Sequence, residues 1–195
     1  MAQPRRLILA STSRYRKELL GRLGLLFEVA APHADERALA GEAPEQTAER
    51  LAVLKAQSVR QAHRDALIIG SDQVATSAGK LLGKPGDHPN AVRQLRSLSG
   101  KKADFHTALA LLDAANGKVQ TQVVPCRVHF RSFDDALIER YLSKEKPYDC
   151  AGSAKVEGLG IALIARIDTE DPTSIIGLPL IALTGMLERA GVPVI

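Results

Sequence analysis

The sequence predicts an α/β fold built on a mixed sheet with flanking helices, and three features of the chain predict it. Two short apolar runs near the start, Leu7 to Ala10 and Leu26 to Ala30, flank a helix-like stretch from Lys17 to Leu23. A third apolar run, Ala66 to Gly70, follows a stretch of helical spacing from Pro44 to His63. In the middle of the chain Asn116-Gly117, a strong hairpin signal, precedes a segment in which Val124, Cys126, Val128 and Phe130 alternate with Pro125, Arg127, His129 and Arg131. Units of the βα type at the front and a long hairpin behind them imply a sheet with both parallel and antiparallel pairs, not a purely doubly wound one. At 195 residues, 45% of them hydrophobic, the chain can bury a core without staples. One folded unit over residues 1–195 is expected, with room for two lobes.

Each element follows from local signals. Leu7 to Ala10 reads as the first strand and the helix after it ends at Gly24. Leu26 to Ala30 is the second strand. From Pro44 onward Ala48, Leu51, Ala52, Leu54 and Val59 recur at helical spacing, and Pro44 suits a first helical turn. Ala66 to Gly70 is a short buried strand, with Asp72 just past its carboxyl end, where open α/β sheets place ligands. Ala91 to Leu98 is a helix closed by Gly100, Thr107 to Leu112 a central strand, and Val124 to Phe130 a half-buried antiparallel strand. Asp134 to Ser143 is an N-capped helix, Gly160 to Ile167 another strand, and Leu178 to Ala190 a final amphipathic helix. No internal repeat, low-complexity tract or linker interrupts the pattern.

Composition excludes several functions. The net charge of +4 suits an acidic ligand, but 26 basic and 22 acidic residues are interleaved without a long basic run. Aromatic residues make up 4% and Trp is absent, leaving few rings for stacking nucleic-acid bases. Cys126 and Cys150 have no CxxC spacing and no signal peptide is recognisable, so a cytoplasmic, reduced protein is expected. No apolar stretch approaches the roughly 20 residues of a membrane span. The five histidines form no zinc-like pair and read as surface or satisfied residues. Cys126 reads as core, and the acidic loop of Asp168, Glu170 and Asp171 as facing water.

Five patches carry the chemistry. Ser11-Thr12-Ser13 lies between the first strand and its helix, where backbone N–H groups and the positive end of the helix dipole offer a seat for an anion. Arg14 and Arg16 follow within one turn and can bind phosphate in a bidentate way. Asp35-Glu36, Lys55, Ser71-Asp72-Gln73 and Gly83-Lys84-Pro85 complete the set. Each alone is an ordinary cap, solvated pair or turn; together they supply carboxylates for a divalent metal and cations for a polyphosphate. The sequence lacks GxxxxGK[ST], so it is not a P-loop enzyme.

These blocks, with Leu98-Ser99-Gly100 and Gly177-Leu178-Pro179, resemble the Maf family of nucleoside triphosphate pyrophosphatases from Leu7 to about Leu187. The motifs Ser71-Asp72-Gln73-Val74 and Cys150-Ala151-Gly152-Ser153, with Glu157, resemble its 7-methyl-GTP branch. The resemblance implies cleavage of the α,β bond of a nucleoside triphosphate to a monophosphate and pyrophosphate, with a divalent metal such as Mg, Mn or Co, in a cleft between two lobes. It implies that Asp72 accepts the proton, that Ser11, Arg16, Lys55 and Lys84 bind the substrate, and that Glu36 and Asp72 hold the metal. Tyr15, Gln73 and Glu157 fall on positions that choose the base. A carboxylate such as Glu157 can accept both N1–H and N2–H2 of guanine, and N7 methylation makes the base cationic, which favours the face of Tyr15. The family commonly reads Ser-Pro-Arg-Arg where this chain has Ser13-Arg14-Tyr15-Arg16, and its 7-methyl-GTP branch more often carries Trp at Tyr15. Two other readings share these motifs: the same chemistry on dTTP, UTP or another modified nucleotide, and a nucleotide-sensing regulator of cell division. A homodimer is compatible with the resemblance; a nucleic-acid or membrane partner is not expected.

Overall fold

A computed structural model of the chain describes residues 5–37 and 39–195. Among the described residues seven strands form one mixed sheet: β1 (Leu7–Ala10), β2 (Glu28–Ala30), β3 (Leu67–Ser77), β4 (Lys80–Leu81), β5 (Lys102–Asp113), β6 (Val119–Phe130) and β7 (Ile164–Thr169). The hydrogen-bonded order is β2-β1-β3-β5-β6-β7, with β4 paired to β3. The helices are α1 (Arg14–Gly21), α2 (Pro44–Ser58), α3 (His88–Leu98), α4 (Asp135–Glu145) and α5 (Leu180–Arg189). The chain divides into two compact units, one of residues 1–73, 106–124 and 171–195, the other of residues 74–105 and 125–170.

In the first unit β1 is parallel to both β2 and β3, pairing Leu7 with Leu67 and Ala10 with Gly70. Parallel strands are covered on both faces, and side chains alternate between those faces. Leu7, Leu9, Leu67 and Ile69 accordingly join Leu19 and Leu20 of α1 and Leu183, Met186 and Leu187 of α5 in one cluster. Ile8, Ala10 and Ile68 join Ala56 and Val59 at the end of α2 in another. Gly70 decides how closely α2 packs. A Cβ there would lie 2.1 Å from the Ala52 carbonyl oxygen and 3.0 Å from the Ala56 Cβ, so only glycine admits the helix at this distance.

In the second unit β6 pairs antiparallel with β7, Cys126 opposite Thr169 and Val128 opposite Ile167. The alternation read from sequence holds, because Cys126, Val128 and Phe130 are buried and Pro125 and Arg127 exposed. Helices α3 and α4 pack together. Asp87 caps α3 by accepting from the Asn90 N–H, and Asp134 caps α4 by accepting from the Leu137 N–H.

Three sequence expectations are corrected. Strand β3 does not stop at Gly70 but runs to Ser77, so Asp72 sits inside the strand rather than past its end. Ser-Asp-Gln looks like a break because it is polar, yet the side chain of each of the three finds a hydrogen-bond partner, Asp72 with Lys55, Ser71 with the Gly177 carbonyl and Gln73 with Thr107, which removes the cost of keeping it in a sheet. Residues 159–163 form a 3-10 turn, and the strand expected from Gly160 starts at Ile164. Asp171 does not face water. It is 2% exposed, and its carboxylate accepts from the Ile181 and Ala182 N–H groups at 2.7 and 3.2 Å, capping α5.

Candidate functional site

The alternation of β3 sends its polar residues to opposite faces. Asp72 lies on the α2 side with Gly70, and the close approach that Gly70 permits brings Lys55 to it. The Lys55 Nζ donates to Asp72 Oδ1 at 2.5 Å and stands 3.0 Å from Glu36 Oε1. Lys55 is 6% exposed and Asp72 8%, whereas the Glu36 side chain is 61% exposed. One ammonium thus ties two carboxylates and has a third N–H left over. The other oxygen of Asp72 makes no hydrogen bond among the described residues. It is not a buried orphan either, since among them only His63 Nδ1 is. Asp72 Oδ2 therefore reaches solvent.

Glu36 owes its place to the segment that leads into α2. Its neighbour Asp35 is held by Arg37, whose guanidinium lowers the Asp35 pKa. Arg50 reaches back from α2 to the Arg37 carbonyl at 3.1 Å while its Nε and Nη2 donate to Glu42 at 2.6 and 2.7 Å. Those bonds to Arg50 hold the Glu42 carboxyl down at about 2.

On the opposite face of the sheet, Ser71 donates to the Gly177 carbonyl at 2.9 Å, and Arg16 Nε donates to the same oxygen at 2.8 Å. Gly177 has φ +117°, a conformation that favours glycine. Arg16 is half-buried. Burial lowers its pKa, and the charges of Asp72 and Glu36 oppose that effect; the guanidinium stays charged. Its Nη1 and Nη2 make no hydrogen bond among the described residues, so both are available to an anion.

Gln73 follows Ser71 on that face. Its Nε2 donates to Thr107 Oγ1 at 2.9 Å, the Ser174 carbonyl at 3.0 Å and the Ile175 carbonyl at 3.2 Å. Three acceptors around one nitrogen fix the amide orientation, leaving Oε1 as an accessible acceptor.

The turn after β1 is more self-satisfied than the sequence suggests. The Ser11 hydroxyl accepts from the Ser13 N–H at 3.1 Å, and the Ser13 hydroxyl caps α1 by accepting from the Arg16 N–H at 3.4 Å. Tyr15 is half-buried, and Arg14 stacks 4.7 Å above its ring while donating to its hydroxyl at 2.6 Å. A cation therefore already sits on a face of the ring expected to meet a cationic base.

The first unit brings together Asp72, Lys55 and Glu36 directly, carries Arg16 beside them electrostatically, and also contains Ser11, Tyr15 and Gln73. Lys84 and Glu157 belong to the second unit, both exposed, Lys84 between β4 and α3 and Glu157 in the turn before residue 159. Among the described residues no group of three or more His, Cys, Asp or Glu side chains could cage a metal. The Asp72 and Glu36 pair fits a magnesium-like cation that takes one or two carboxylates and completes its shell with water and phosphate. Thr107 is a polar group at the site that belongs to no sequence motif, whereas the Gly177 carbonyl comes from the Gly177-Leu178-Pro179 block, in which nothing in the sequence marks it as a hydrogen-bond acceptor. Thr107 is nonetheless the polar start of an apolar run, and a buried hydroxyl must find a partner.

The family model described as Maf-like protein matches residues 6–190. A relative from Thiobacillus denitrificans named 7-methyl-GTP pyrophosphatase is 59% identical over 97% of this chain and 94% of its own length. Relatives of the same name from Cupriavidus pinatubonensis and Albidiferax ferrireducens are 58% identical over 96% of the chain and 94% of the relative, and 51% identical over 100% and 99%. The solved structure of the Staphylococcus aureus Ham1 protein aligns with a TM-score of 0.42 at 15% identity, covering 65% of this chain and 71% of that one.

Proposed function

The chain belongs to the Maf family, and from that premise we propose that it is a nucleoside triphosphate pyrophosphatase whose substrate is 7-methyl-GTP. Relatives that carry this activity in their names match nearly the whole chain. The observation that carries the reading is the meeting of Asp72 and Glu36 on Lys55, with Asp72 Oδ2 open to solvent.

In the proposed reaction a water oxygen bonds to the α-phosphorus as the bond from that phosphorus to the α,β-bridging oxygen breaks. Pyrophosphate leaves and 7-methyl-GMP remains. Asp72 Oδ2 takes the proton that the water loses, while Oδ1 is held by Lys55. Arg16, through its two unengaged amino groups, and Lys55, through its third N–H, stabilise charge gathering on the phosphate oxygens. Ser11 orders the turn beneath the phosphates. Asp72 and Glu36 would hold a divalent cation such as Mg, Mn or Co. When bound, such a cation lowers the pKa of water and offsets phosphate charge. Gln73 Oε1 accepts from the guanine edge, and Tyr15 offers its ring to the methylated base.

The test is hydrolysis of 7-methyl-GTP in water enriched in oxygen-18. The label is expected in 7-methyl-GMP, and label in pyrophosphate would contradict attack at the α-phosphorus. Tight binding of the nucleotide without turnover would favour a nucleotide sensor instead.

A further inference from the structure

We propose that Ser71 and Thr107 are positioning residues that aim the Arg16 guanidinium, acting through the backbone segment from Ser174 to Gly177. The inference rests on the reading of Arg16 as a phosphate-binding cation. Ser71 and Thr107 are both fully buried, where a hydroxyl needs a partner, and both spend their proton on this one segment: Ser71 on the Gly177 carbonyl at 2.9 Å, Thr107 on the Ser174 carbonyl at 2.9 Å. Because Thr107 donates its single proton to Ser174, it meets Gln73 Nε2 as an acceptor, and Gln73 adds two further bonds to the same stretch. Asp171 fixes the other end. Its carboxylate accepts from the Thr173 N–H and hydroxyl at 3.1 and 2.7 Å and from the start of α5, and the Thr173 hydroxyl in turn accepts from the Leu180 N–H at 2.8 Å.

The segment is thus tied to strands β3 and β5 and to its own helix, and the carbonyl it presents accepts from Arg16 Nε at 2.8 Å. A planar guanidinium held at Nε has its two remaining amino groups directed by that bond. Ser71 and Thr107 touch no reacting atom in this account. They set where the carbonyl stands, and the carbonyl sets where Arg16 points. Gly177 itself adopts a left-handed φ of +117°, a conformation that favours glycine.

Because misplacement of a catalytic group by about 1 Å can cost as much as 100-fold, the expected effect is large enough to read in a double-mutant cycle. Ser71→Ala and Thr107→Val keep side-chain size nearly constant and remove one hydroxyl each. Each is made in the natural protein and in an Arg16→Ala background, and kcat for 7-methyl-GTP is measured with the melting temperature. In the natural background each substitution is expected to lower kcat about 10-fold, whereas in the Arg16→Ala background each lowers it less than about 2-fold. Thr107→Ser, which retains the hydroxyl, is expected to restore the natural rate. Equal losses in both backgrounds, or no loss in either, overturn the inference while leaving the Arg16 role intact. An Arg16→Ala enzyme as fast as the natural one overturns both.

Discussion

Two carboxylates, Asp72 and Glu36, meet one ammonium, Lys55; Lys55 and Asp72 are buried and Glu36 is exposed. The exposed member, Glu36, can leave Lys55 for a metal ion at little desolvation cost, whereas the buried Asp72 cannot be left unpaired cheaply. Glu36→Gln is therefore expected to raise the magnesium concentration for half-maximal turnover about 10-fold or more, in line with other losses around a metal site, with only a small change in melting temperature. A magnesium titration of initial rates checks it, and an unchanged midpoint would remove Glu36 from the metal site. Tyr15 is the other residue whose surroundings alter its expected role, because Arg14 already lies over its ring. Two cations compete for one face. Arg14→Ala is expected to lower KM for 7-methyl-GTP about 3-fold while leaving KM for GTP within about 2-fold, since a contact of this kind is worth about 0.5–1 kcal/mol at exposed sites. Equal changes for both nucleotides would separate Tyr15 from recognition of the methyl group.

At the scale of elements, the distance between α2 and β3 controls the site. Gly70→Ala places a methyl against the Ala52 carbonyl, which is backbone and cannot rotate away. The helix must shift, carrying Lys55 with it, and overpacking of this kind costs about 3 kcal/mol or more. Denaturant unfolding should show that loss, and kcat should fall with it; a Gly70→Ala protein as stable and active as the natural one would contradict the packing described. The segment before α2 offers a pH-dependent counterpart. Bonds from Arg50 hold the Glu42 carboxyl at about 2, below its ordinary 4.5, so the Glu42–Arg50 clamp is complete above about pH 4.5 and is lost as pH falls through about 2. Comparison of melting temperatures between the natural protein and Glu42→Gln should show a constant gap at neutral pH that closes toward pH 2. A gap unchanged at acid pH would mean that Glu42 is not held ionised by Arg50.

For the whole molecule, the mixed sheet was legible because its signals are local: apolar runs, the Asn116-Gly117 turn and the alternation through Val124 to Phe130. The Asn116-Gly117 hairpin forms as read, with Gly117 at φ +79° and the Asp113 N–H donating to the Lys118 carbonyl at 2.8 Å. What escaped a reading of the sequence depends on tertiary partners. Strand β3 continues through Ser71, Asp72 and Gln73 because residues far along the chain satisfy them, and Asp171 is buried because the first N–H groups of α5 need an acceptor. The site residues were named in the sequence by motif, but their arrangement was not: that Lys55 bridges Asp72 and Glu36, and that Gly177 presents its carbonyl to Arg16, follows from packing at Gly70 and Gly177. The preference for a methylated guanine is where chemistry and family meet. The most direct test is kcat/KM for pyrophosphate release from 7-methyl-GTP, GTP, dTTP, UTP and CTP with magnesium, manganese or cobalt, beside an Asp72→Ala control. The account predicts the highest value for 7-methyl-GTP and loss of about 1,000-fold in the control, the scale of removing a general base; equal or faster turnover of the pyrimidine nucleotides, or an active Asp72→Ala enzyme, would contradict it.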